Sequence, residues 1–88
     1  GYYRELLDRR REVEALAQRA LPSAGSALKN TEYAYERGRY GYLELVDAQR
    51  ELLSVRRSLI EAATQYHLTL IEIERLTGTG LADARTTP

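Results

Sequence analysis

Eighty-eight residues allow one small unit, and two long helices of that total length enclose little core. Charged residues make up 30% and sum to zero, which argues against a nucleic-acid binder with its basic face. The chain has no cysteine and no apolar run of about 18 residues, which excludes a disulfide framework, a thiolate zinc site and a membrane-spanning helix. The missing cysteine fits either redox compartment. No signal-peptide pattern is present, and the abrupt start Gly1-Tyr2-Tyr3 is expected of an internal piece of a larger protein.

Residues 2–35 are mostly Leu, Ala, Glu, Arg and Gln, all good helix formers. Apolar or small residues recur at Leu6, Val13, Ala17, Ala20, Ala24, Ala27, Thr31 and Ala34. From Val13 onward the steps alternate between four and three, a heptad-like seam in which alanine dominates. The densely charged stretch 4–14 reads as solvated. Pro22 interrupts this arm, because it lacks an N–H and its ring crowds the carbonyl of Gln18. Two readings compete: a kink in a continuous helix, or a break with a new helix starting at Pro22. The unbroken phase of the alanine seam favours the kink.

The run from Tyr35 to Arg50 is the hinge of the chain. Gly38 is the expected helix end, since glycine enters the left-handed conformation without steric cost. Arg37 and Arg39 place positive charge beside the exposed carbonyls there. Gly41 is a weak N-cap for the next helix, and Glu44 falls at the N3 position that suits an acid. Four tyrosines, Tyr33, Tyr35, Tyr40 and Tyr42, cluster around this turn. They read either as packing between the helix ends or as a contact surface.

Residues 42–77 form a cleaner helical pattern with no Gly or Pro inside. Heptad spacing links Leu45, Leu52, Leu59, Tyr66 and Ile73. A neighbouring line links Ala48, Val55, Ala62 and Leu76, and a third links Val46, Leu53 and Ile60. Between them runs a strip of Gln49, Arg56, Ala63, His67, Leu70 and Glu74. One antiparallel partner needs a narrower apolar stripe than this. The breadth predicts two neighbours, as in a helical wall, a barrel or an ordinary bundle. Gly78 and Gly80 are the expected helix stops, leaving 78–88 as a frayed tail.

Little here carries chemistry. His67, the only histidine, reads as a seam histidine with polar neighbours. Thr64 stands where a Glu-x-x-His metal site needs its acid. Glu44 and Asp47 are spaced i, i+3 at a helix start, where dipole stabilisation explains them without acid–base work. No phosphate loop and no nucleophile–base pair appears. The chain is expected to be no enzyme, with no catalytic residue, cofactor or metal ligand.

The pattern Tyr35-x-x-Gly38-x-x-Gly41-x-Leu43-Glu44-Leu45-x-Asp47-Ala48-Gln49-Arg50 resembles the motif of the TolC-like outer membrane efflux proteins. The resemblance extends upstream through Leu21-Pro22-x-Ala24 and downstream through Tyr66 to Ile73-Glu74-Arg75-Leu76-Thr77-Gly78. It is similar to the second of that family's two repeats. It implies an all-α antiparallel two-helix coiled-coil hairpin, with helices over 2–37 and 42–77 and a turn over 38–41. Such a hairpin is a piece of a periplasmic α-barrel whose full-length protein is a homotrimer of the outer membrane. It further implies that Arg37, Gly38, Arg39, Tyr40, Gly41 and Tyr42 form a tip that docks a periplasmic adaptor protein. The inner-membrane pump is then an indirect partner, and Glu44 and Asp47 face the tip aperture. Gly41 departs from the family, where many members carry Ser or Thr. No β-strand pair is present, so this stretch is not expected to form a membrane channel by itself. The exported substrate, metal ion or organic compound, is left open. The rival reading is a soluble coiled-coil hairpin acting as an oligomerisation or scaffold module.

Overall fold

The computed structural model describes the backbone of residues 1–86 and the side chains of residues 1–78. Its described residues are helical except for Gly1 and one turn, and they contain no strand. α1 (Tyr2–Ala15) runs through a five-residue π-helical turn (Leu16–Ala20) into α2 (Leu21–Glu36). After the reversal, α3 (Tyr42–Thr86) runs back alongside both. The result is an all-α antiparallel hairpin with extents of 72 × 23 × 15 Å.

The π turn is the local answer to Pro22. An α-helix would aim the Gln18 carbonyl at the proline ring and leave it without a donor. Instead the helix widens just upstream, and the Leu21 N–H bonds the Leu16 carbonyl five residues back. Backbone angles stay helical through Ala20 (φ −67°, ψ −45°) and Leu21 (φ −65°, ψ −50°), so no new helix starts at Pro22.

A π turn spends one extra residue, and that residue re-phases the seam. Upstream, the residues turned inward are Leu6, Arg9, Val13, Leu16 and Ala20. Downstream they are Ala17, Leu21, Ala24, Leu28 and Thr31. Both sets alternate steps of three and four, and the second is displaced by one position. The expected seam is therefore corrected at Ala27, which is exposed, while Leu28 packs in its place. Arg9 lies along the upstream edge between Glu5 (4.0 Å) and Glu12 (3.9 Å), surface pairs that contribute about 0–1 kcal/mol each.

α3 needs no such device. Leu45, Ala48, Leu52, Val55, Leu59, Ala62, Tyr66, Thr69 and Ile73 all turn toward the first arm, in an unbroken three–four alternation. Ala62 and Ile73 are buried, and Ala24 is their counterpart on α2. Two sequence expectations change. Thr69 takes the heptad position between Ala62 and Leu76 and is buried, whereas Leu76 is 54% exposed. His67 is exposed rather than part of the seam, because its neighbour Tyr66 occupies that position.

On the third line Leu53 and Ile60 lie beyond the reach of the first arm, 57% and 67% exposed, whereas Val46 is half-buried. The chain exposes 7051 Å² in all, whereas a globular monomer of its mass exposes about 5,200 Å². No helix among the described residues is long and apolar enough to cross a membrane.

Both expected helix ends shift. The first arm stops at Glu36, with Arg37 as its cap, rather than at residue 37. α3 does not stop at Thr77 but continues to Thr86, so Gly78 lies within it. Glycine permits a left-handed exit without requiring one. Within a helix it costs only about 1 kcal/mol against alanine. Of the frayed tail expected over 78–88, residues 87 and 88 lie outside the described residues.

Candidate functional site

The reversal between α2 and α3 is the most organised surface of the molecule. Arg37 (φ −95°, ψ 7°) caps α2, and Gly38 follows at φ +72°, the left-handed region that other residues adopt only with strain. The Gly38 N–H donates to the Tyr35 carbonyl at 3.0 Å, and the Arg39 N–H donates to the Ala34 carbonyl at 2.8 Å. That pair of bonds is the Schellman motif, which satisfies carbonyls left open by the helix end. A longer bond from the Tyr40 N–H to the same Ala34 carbonyl, 3.4 Å, extends the closure by one residue.

Side chains tie the turn down further. The Arg37 guanidinium carbon lies 3.3 Å from the centre of the Tyr33 ring, and Arg37 Nη1 donates to the Tyr33 carbonyl at 3.5 Å. One arginine thus makes a cation–π contact and covers a helix-end carbonyl. The Tyr35 and Tyr42 rings sit 6.4 Å apart at 58°, joining the two helix ends. At the start of α3 the Leu45 N–H reaches the Gly41 carbonyl at 3.4 Å. The Glu44 carboxylate folds back so far that a Cβ placed on Gly41 would lie 2.9 Å from Glu44 Oε2. Gly41 therefore leaves room for the acid at N3 to lie over the first turn, where the helix dipole favours it.

All eight residues singled out by the sequence fall in this one region. Arg37, Gly38, Arg39, Tyr40, Gly41 and Tyr42 belong to a continuous exposed run over 35–44. Glu44 and Asp47, one turn apart, share an exposed face of α3. Tyr40 is 51% and Tyr42 66% exposed. Leu43, 75% exposed, joins this surface and was not anticipated. Its signal was its place at N2 of a helix whose inward line begins only at Leu45.

The chemistry available is that of a contact surface. The tip offers two aromatic rings, a leucine and Arg39, with two carboxylates behind them. Away from it, His67 meets the edge of the Tyr66 ring, centroids 5.8 Å apart. No group of three side chains able to hold a metal occurs among the described residues.

Comparison with known proteins agrees with this architecture. The family model described as outer membrane efflux protein matches residues 2–79. The cobalt-zinc-cadmium resistance protein CzcC of Cupriavidus metallidurans (strain ATCC 43123 / DSM 2839 / NBRC 102507 / CH34) is 30% identical over 69 residues. Those residues are 78% of this chain and 16% of that relative, so the chain spans about a sixth of the relative's length. No solved structure matches the chain.

Proposed function

The chain belongs to the outer membrane efflux protein family, and from that premise we propose that it is a periplasmic hairpin whose turn docks the adaptor protein of an export system. Its role in this reading is passive. The two arms supply part of the wall of an export duct, and residues 37–42 form the end that meets the adaptor. The observation that carries the reading is the tip itself: a reversal fixed by two short backbone bonds, presenting Tyr40, Tyr42 and Leu43 to solvent. Aromatic side chains on a preorganised backbone lose little entropy on binding. The large uncovered surface supports the wall role, since a helix with a second apolar line has room for a second neighbour.

Glu44 and Asp47 face the aperture in this proposal. Several copies around one axis bring their carboxylates together, which attracts cations and repels anions. The full-length protein assembles as a trimer in the outer membrane and meets the inner-membrane pump only through the adaptor. The printed name of the relative makes cobalt, zinc and cadmium the first cargo to test.

The test uses the full-length channel. Tyr40→Ala with Tyr42→Ala should weaken adaptor binding by about tenfold or more, as expected for truncated aromatic anchors. Glu44→Ala with Asp47→Ala should lower cation-over-anion permeability in a planar bilayer and leave adaptor affinity unchanged. Unaltered adaptor affinity in the tyrosine variant rules out the docking role, and unaltered selectivity in the acid variant rules out the aperture role.

A further inference from the structure

Gly41 is set apart from the other described glycines by what its missing side chain leaves room for. Its backbone does not call for glycine, since the positive φ of the turn falls at Gly38 and not at Gly41. A Cβ built on Gly1, Gly25, Gly38 or Gly78 would meet nothing within 4 Å, whereas one on Gly41 would lie 2.9 Å from Glu44 Oε2. Real Cβ atoms do not come that close to a neighbour, so the carboxylate keeps this place only while residue 41 has no side chain. The two helix starts of the hairpin show the alternative. At α1 the Glu5 N–H donates to the Gly1 carbonyl at 3.1 Å, and the Glu5 carboxylate reaches forward, 4.0 Å from Arg9 Nη2. At α3 the Leu45 N–H donates to the Gly41 carbonyl at 3.4 Å, and the Glu44 carboxylate turns back instead.

The direction matters because of what lies ahead. Asp47 stands three residues on, on the same exposed face. Residues at that spacing are neighbours on a helix, with Cβ atoms about 5–6 Å apart. Turned forward, the Glu44 carboxylate would converge with that of Asp47, and two converging carboxylates hold a divalent cation better than either alone. Turned back, Glu44 is stabilised by the N-terminal dipole of α3, and the two acids stay apart. We infer that Gly41 is a positioning residue for Glu44, and that it keeps the two tip carboxylates from closing together on a divalent cation. They then attract cations as separate charges without trapping them. A conducting path needs that combination of favourable entry and weak retention. This consequence for passage rests on the aperture role proposed above, whereas the placement of Glu44 stands on the geometry of the turn.

Binding of Mn²⁺ to the full-length channel in detergent, followed by electron paramagnetic resonance, tests the placement. Gly41→Ala should raise Mn²⁺ affinity about fivefold or more over the parent, because it turns two separate ligands into a pair. Adding Glu44→Gln or Asp47→Asn should return the affinity to the parent value. A weaker N-cap alone would not depend on either acid, so this reversal separates positioning from stability. Gly41→Ser brings the same Cβ with a good capping oxygen, and it should give the same gain. Unchanged affinity in both variants overturns the inference, and so does a gain that survives Glu44→Gln. Currents in planar bilayers test the consequence for passage separately. Mn²⁺ should halve the cation current of the Gly41→Ala channel at about fivefold lower concentration than in the parent. A gain in affinity with no change in current removes the aperture role and upholds the positioning of Glu44.

Discussion

The two arms of the hairpin lie side by side yet keep register by different means. α3 holds a single heptad frame from Leu45 to Ile73 with no interruption. The first arm holds two frames, joined by a π turn that adds one residue beside Pro22. The difference shows that a proline need not break a coiled-coil arm. It can be accommodated by one widened turn, provided the partner surface accepts a one-residue change of phase. Ala27, on the displaced side, is then released from the hairpin's own seam.

The comparison can be broken most severely at the packed line of α3. Ile73→Ala removes a buried side chain and should cost about 2–5 kcal/mol. Ile60→Ala, on the exposed line, should cost less than about 0.5 kcal/mol. Urea titrations followed at 222 nm on dilute chain measure both, and equal costs contradict the assignment of packed and free lines.

The next largest effect is expected at the π turn. Deleting Gln18 removes the extra residue and puts the two frames in phase, but it forces Pro22 into a regular helix at a cost of about 3 kcal/mol. Adding Pro22→Ala should restore stability to that of the parent or better. If the double change is as unstable as the deletion alone, the π turn does not exist to accommodate Pro22.

A smaller effect tests the tip. Gly38→Ala places a Cβ in the left-handed region and should cost about 1–2 kcal/mol, whereas Gly78→Ala, inside a helix, should be neutral or stabilising by up to about 1 kcal/mol. Thermal melts should therefore show Gly38→Ala lowered and Gly78→Ala unchanged or raised. The smallest change is Glu44→Ala, which removes the acid over the first turn of α3 and should cost at most about 1 kcal/mol, less at high salt.

The same contrast explains what could be read from the residues alone. The hairpin, its turn and the α3 seam were legible because leucine at a repeat of seven and glycine at a reversal each have one physical meaning there. The phase of the first arm was not, since a bond to the fifth preceding residue leaves no mark in composition. Pro22 signalled an interruption but not its kind. Gly38 and Gly78 look alike in sequence and differ in outcome. The Schellman bonds and the Tyr35–Tyr42 contact hold the chain in reversal at Gly38, whereas α3 runs on through Gly78. At the tip the charged and aromatic residues were named through the resemblance to the efflux-protein motif and their place at a turn. Leu43 was not named among the tip residues, and His67 was placed in the seam although Tyr66 beside it takes that position.

The most direct test of the whole account is photo-crosslinking from two positions of the full-length channel in living cells. A photoreactive amino acid replaces Tyr40 in one strain and Ile60 in another. The account predicts that position 40 captures the periplasmic adaptor, and that position 60 captures only the channel protein itself. Adaptor captured from position 60, with none from position 40, would contradict it.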